Sequence, residues 1–260
     1  MTQREIYPNA PISLVVAEIR HPMLSDLTSA ELGDLKSAFS LTLPILRWDE
    51  HVDIDIPAGS RRVFRFPRFA SRDLHHSVTV RPDALIVESM VYTGWEDFRQ
   101  HVVTAMQAHD AVKPLEGIER IGLRYIDEIR LSDAYDSIDW ADWVADDLIG
   151  PKSIEGVLDA PIEQSQGTAI VQVSPSISYT VRYGAARGQA VVSTDNLVRA
   201  DEMRGDYFLL DLDGAWLPPQ RSVPEFDIDA VTETLDELHQ PIGALFESLI
   251  TERLRDEVLR

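Results

Sequence analysis

The C-terminal end of the chain carries its most restrictive pattern. Ile228, Val231, Leu235, Leu238, Ile242, Leu245 and Leu249 recur at alternating intervals of three and four, which lines apolar side chains along one side of an α-helix. A helix this long and this one-sided needs an apolar surface to lie on. Asp227 is placed to cap it, Phe226 and Val231 stand at hydrophobic-staple positions, and Pro241 predicts a kink. The stripe either covers a sheet or meets a symmetry mate; it has too few clean heptads for a sustained coiled coil, which favours the sheet.

The strands for that sheet can be read upstream. Ser13 to Arg20 is short and β-branched, and residues 62–69, 77–81 and 84–92 follow, with Pro82-Asp83 as a turn. In residues 118–131, Ile121, Leu123, Tyr125, Ile129 and Leu131 fall on one face, opposite Arg120, Arg124, Glu128 and Arg130. Further strands are expected near 168–173, 177–183, 188–193 and 206–212. Thr28-Ser-Ala-Glu31 has capping-box spacing ahead of a short helix, and Gly94 precedes a second helix with the stripe Trp95, Phe98, Val102, Ala105, Met106 and His109. A third helix is expected from Ile138 to Leu148, with Trp140, Trp143, Val144 and Leu148 on one face. Runs of strands closed by helices, without strict βαβ alternation, indicate an α+β fold with antiparallel sheets in two halves, residues 1–131 and 132–260, packed as one unit.

Charge separates those halves. Of 24 Lys+Arg and 44 Asp+Glu, residues 1–130 hold 15 and 19, net −4, so residues 131–260 hold 9 and 25, net −16. Such a surface repels duplex DNA and suits a basic partner. The absence of cysteine excludes disulfides, thiolate metal sites and cysteine nucleophiles. Met1 to Asn9 lacks the pattern of a secretory signal, and no apolar run approaches the ~20 residues of a membrane span, so a soluble cytoplasmic protein is expected.

No nucleophile elbow, Walker loop or dinucleotide fingerprint occurs, and no cofactor is expected. Asp211-Leu-Asp213-Gly offers the best setting for a shared cation among three D-x-D patterns, the others being Asp53/Asp55 and Asp227/Asp229; it lacks EF-hand spacing, and metal binding is not the favoured reading. His109 extends an apolar stripe and suits a packed core histidine better than a ligand. Arg61, Arg62, Arg65, Arg68 and Arg72 interleave with Phe64, Phe66 and Phe69. That mixture could stack and neutralise a single nucleic-acid strand; the favoured alternative is an amphipathic edge strand, its arginines paired with carboxylates and its phenylalanines in the core.

The stretches Asn9-Ala-Pro-Ile12 into Val16-Ala-Glu18-Ile-Arg20, Arg120-Ile-Gly-Leu-Arg124-Tyr, and Leu238-His239 through Phe246-Glu247 to Thr251 together resemble a sporadically distributed family of bacterial proteins of about this length whose function is uncharacterised. The resemblance implies a single full-length unit. It supplies no catalytic residues, and draws attention to Glu18, Arg20, Arg120, Arg124 and His239. Two functions compete on the sequence. One is a non-catalytic module that binds another protein with a basic surface through the acidic second half, with a possible homodimer. The other is an anionic-ligand or nucleotide-binding protein, conceivably an enzyme, using the Arg120/Arg124 face beneath a covering helix.

Overall fold

A computed structural model describes residues 7–55, 60–131, 138–160, 162, 164–200, 204–219 and 222–260. Nine strands run in the order β1 (Ile12–Arg20), β2 (Ile45–Asp55), β3 (Ser60–Ala70), β4 (His76–Arg81), β5 (Ala84–Ser89), β6 (Arg120–Ile129), β7 (Ser165–Gln172), β8 (Ile177–Arg187) and β9 (Asp206–Trp216). Among the described residues four α-helices of seven or more residues accompany them: α1 (Ser29–Ala38), α2 (Trp95–Val112), α3 (Lys152–Leu158) and α4 (Ile228–Leu249).

The strands form one antiparallel sheet in the order β2-β3-β4-β5-β1-β6-β9-β8-β7. The strands of the two halves do not form separate sheets, because β6 of the first half pairs with β9 of the second, Arg124 opposite Asp213 and Tyr125 opposite Leu212, while β1 lies between β5 and β6. Period-two alternation gives each central strand one apolar face. Val15, Ala17 and Ile19 of β1, Ile121, Leu123 and Tyr125 of β6, and Leu210 and Leu212 of β9 join one buried cluster with Leu35 of α1, Val102 and Met106 of α2, and Val231, Leu235 and Leu238 of α4. Helices α1, α2 and α4 thus coat one side of the sheet.

The long C-terminal stripe covers the sheet as its spacing predicts, with Asp227 Oδ1 capping the Ala230 amide at 2.7 Å. The helix runs through Pro241 without interruption. At Gly214 of β9 it comes so close that a Cβ there would stand 3.3 Å from Ile242 Cδ1 and 2.9 Å from the Tyr179 ring. The capping box at Thr28 and Glu31 is formed in both directions.

Three sequence expectations are corrected. The segment from Ile138 to Leu148 is not a helix but two single 3-10 turns, Trp140–Asp142 and Asp146–Leu148. Between them Val144 is drawn into a bridge with Ile250, and the Ala145 amide bonds the Leu249 carbonyl. Residues 188–193 are not a strand. They open a strap, residues 188–199, that crosses the helix-free side of the sheet, starting at Gly188 with φ +104°. And β2, which the sequence did not signal, forms the true edge beside β3. Pro67 stands opposite Trp48 of β2, one residue before the β3–β4 register begins at Arg68. Of the β3 phenylalanines only Phe69 enters the core, against Phe39; Phe64 and Phe66 stack on each other on the opposite face.

Candidate functional site

The sequence-nominated residues fall on opposite sides of the sheet. Glu18 and Arg20 of β1, Arg120 and Arg124 of β6, and Asp211 and Asp213 of β9 share the helix-free face. There they neutralise one another. Glu18 accepts from Arg120 and lies 3.0 Å from Arg20 Nε. Arg124 grips Asp211 with two bonds of 2.7 and 2.6 Å, and Arg182 reaches the same carboxylate at 3.2 Å. Arg120 also approaches Asp213 at 3.7 Å. Gly122 makes this possible, since a Cβ at that position would occupy the space of the Arg120 guanidinium. The bond to Asp211 raises the Arg124 pKa, while burial pushes Asp213 up against the pull of Arg120, Arg124 and Arg182. Among the described residues no helix covers these arginines, contrary to expectation, and each is held by a carboxylate. Among the described residues no group of three or more His, Asp or Glu is arranged to hold a metal ion.

The β3 arginines are similarly placed. Arg68 is buried, donating to Thr79 at 3.0 Å and to Asp49 at 2.6 Å, with Glu88 at 2.8 Å. Burial raises the Glu88 pKa despite Arg68. Arg65 pairs with Glu50 at 2.8 Å, and Arg62 is exposed near the tip of the β2–β3 hairpin. The stacked Phe64 and Phe66 beside them carry Arg81 5.1 Å from the Phe66 ring centre.

At the other end of this face the strap is clipped down by Glu128. One carboxylate oxygen accepts from the Ala190 and Val191 amides at 2.8 and 2.9 Å and from Arg199 at 2.6 Å; the other accepts from Arg130 at 2.6 Å. Burial opposes ionisation of Glu128, yet the bonds from Arg199, the Val191 amide and Arg130 outweigh it and hold its pKa below the usual value. Farther along, Asn196 donates to Asp49 at 3.2 Å and the Val198 amide to the Leu74 carbonyl at 2.8 Å, so the strap spans from β8 to the β2 side of the sheet.

His239 lies on the helix side, in a cavity of about 430 Å³ between the first turn of α2, the middle of α4 and the ends of β1 and β6. The helical spacing of α4 presents His239, Ile242 and Phe246 along one stripe. The His239 ring stacks on Trp95 at 4.3 Å, nearly parallel, and its Nδ1 lies 3.1 Å from Tyr125 Oη, which is 3.5 Å from Tyr92 Oη. Trp95 is fixed in turn by donating Nε1 to Asp236 at 2.7 Å, an acceptor shared with Arg99. Tyr7 donates to Glu247 at 3.1 Å. Asp127, only 2% exposed, lines the same cavity from the β6 face that carries Tyr125 and Leu123. Asp97, Glu96 and Glu247 complete the charged lining, and none of the described lining residues is Lys or Arg.

The sequence pointed to His239 but missed its surroundings. A signal for Asp127 existed: it is the one charged residue at an odd position between Ile121 and Leu131, a carboxyl group in a face otherwise apolar. Nothing local connects it with Tyr92, Trp95 or Phe246, which arrive from other elements. No family model matches the chain, and a search among curated proteins gave no match.

Proposed function

We propose that the protein is a binding protein for a small cationic ligand, an ammonium or guanidinium compound with an apolar or aromatic body, held in the cavity beside α2 and α4. The observation that carries this reading is Asp127, a carboxyl group buried on the core face of β6 and lining, with Tyr92, Trp95 and Tyr125, a cavity whose other charged groups among the described residues are carboxylates. Aromatic faces attract cations, the more so when water is displaced, and a buried carboxylate supplies the counter-charge that fixes orientation. The volume is that of a small-molecule site. An anion would meet carboxylates of its own sign among the described lining residues. The arginines that would attract it, Arg120 and Arg124, lie across the sheet and already bind Glu18, Asp211 and Asp213.

The test is a thermal-shift and calorimetry series on the full chain with phenethylamine, benzamidine, choline and agmatine, and with phosphate, citrate and ATP as anionic counterparts. A cation at a hundredfold excess over its dissociation constant should stabilise the fold by ~2.7 kcal/mol. Asp127→Asn should weaken that binding at least tenfold, while Glu18→Gln on the far face leaves it unchanged. Stabilisation by the anions alone, or equal cation binding by folded Asp127→Asn, would refute the reading.

A further inference from the structure

The two edges of the sheet are unlike. β2 is guarded by Arg47, Asp49 and Glu50, charges that resist pairing with another strand. β7, at the opposite edge, has none. From Gln164 to Val181 the chain runs 18 residues without an ionisable acid or base of the Asp, Glu, Lys or Arg kind, inside its acidic half. The outer part of the strand is bare on both faces: Thr168 to Gln172 are exposed, Ile170 by 73%. Val171 and Val173 beside it are also exposed. β7 pairs with β8 over its whole length, so its other row of amides and carbonyls faces outward. It lacks proline and carries Gly167 only near its start.

We propose that β7 is a self-association edge, at which two copies of this chain pair antiparallel and join their sheets into one. A second copy is the occupant that the charges select. Each molecule carries net −20, so two copies repel over most of their surface and can approach closely only where the local charge is zero. A basic partner would find no carboxylate on this strand to hold. A register centred on Ile170 sets that residue against its own counterpart and Ala169 against Val171 of the second copy, apolar on apolar, with no ionised pair in the contact. The association also stops at two. A symmetric pairing uses the same edge on both molecules, and the edge left at each end is the charge-guarded β2.

Sedimentation velocity and light scattering on the full chain test this over a range of protein concentration, at about 50 and 500 mM salt. The expected species is a dimer, twice the 29.3 kDa of the chain. It should tighten as salt rises, because screening weakens the repulsion of two acidic molecules. Ile170→Lys should raise the dissociation constant at least tenfold, whereas Leu41→Lys, an equally radical change at a position 96% exposed on the α1–β2 connection, should not. Ile170 makes little use of the core, so its variant folds, which circular dichroism verifies. A monomer at all concentrations, a dimer that loosens with salt, open-ended assemblies, or a dimer indifferent to Ile170→Lys would each overturn the proposal.

Discussion

At the scale of single residues, the helix side of the sheet holds a titratable group in an apolar setting. His109 is 1% exposed, its Nδ1 has no partner among the described residues, and its ring lies 5.8 Å from that of His21. Burial first, and then the nearby His21, lower its pKa to about 4. An unfolded histidine takes up its proton near 6.5. Between these values the unfolded chain binds more protons than the folded one, so stability should fall as pH drops from about 6.5 towards 4. The contribution is roughly 3 kcal/mol in full. His109→Leu should flatten the stability profile over that interval, relative to the wild type, in denaturant titrations between pH 4 and 8. Parallel profiles would show that the imidazole is not the cause. His109 was legible as a core residue because its helix repeats apolar groups at its spacing. Asp127 was not, since a lone carboxyl within an apolar alternation acquires meaning only when Tyr92, Trp95 and Phe246 are brought around it.

Single elements were legible where one pattern sufficed. α4 follows its 3-4 stripe, α1 its capping box, and β6 its alternation. The failures share a cause: distant partners took over the backbone. The region around Val144 has a helical apolar stripe, but Ile250 and the Leu249 carbonyl claim it as an extended segment. The strap has strand-like composition at 188–193, but its Ala190 and Val191 amides are taken by Glu128 rather than by a neighbouring strand. That clip is the element's weak point. Glu128→Ala would leave Arg130 and Arg199 buried without their shared carboxylate, a loss of about 3 to 5 kcal/mol. Chemical denaturation should show it. Limited proteolysis should find the first new cleavage within residues 188–199; unchanged stability together with an unchanged cleavage map would contradict the assignment.

For the whole molecule, the sequence correctly conveyed α+β character and an antiparallel sheet covered by a long C-terminal helix. It did not convey that the sheet is continuous, because the β6–β9 pairing joins strands of the two spans that are far apart in the chain, Arg120–Ile129 with Asp206–Trp216. Three further ties cross the same line: Trp95 against His239, Arg99 with Asp236, and the strap from β8 to Asp49 and Leu74. A chain knitted in this way should unfold in one cooperative step. The tryptophans lie in both spans, with Trp48 and Trp95 before residue 131 and Trp140, Trp143 and Trp216 after it. Fluorescence and far-ultraviolet dichroism melts should therefore coincide, and two separated transitions would mean that the spans fold as independent units.

The charged face of the sheet has one more consequence, for how the strands find their alignment. Apolar alternation rejects a slip by one residue, which would turn every side chain over, but it is nearly blind to a slip by two. Arg124 stands opposite Asp213 and bonds Asp211 two positions along β9, and Arg182 on β8 stands opposite that same Asp211. Sliding β9 by two residues would keep all its apolar groups inward while setting Leu209 or Ala215 where a carboxylate belongs. The interleaved charges therefore act as a key for the central strands, rejecting the misalignment that the core would accept.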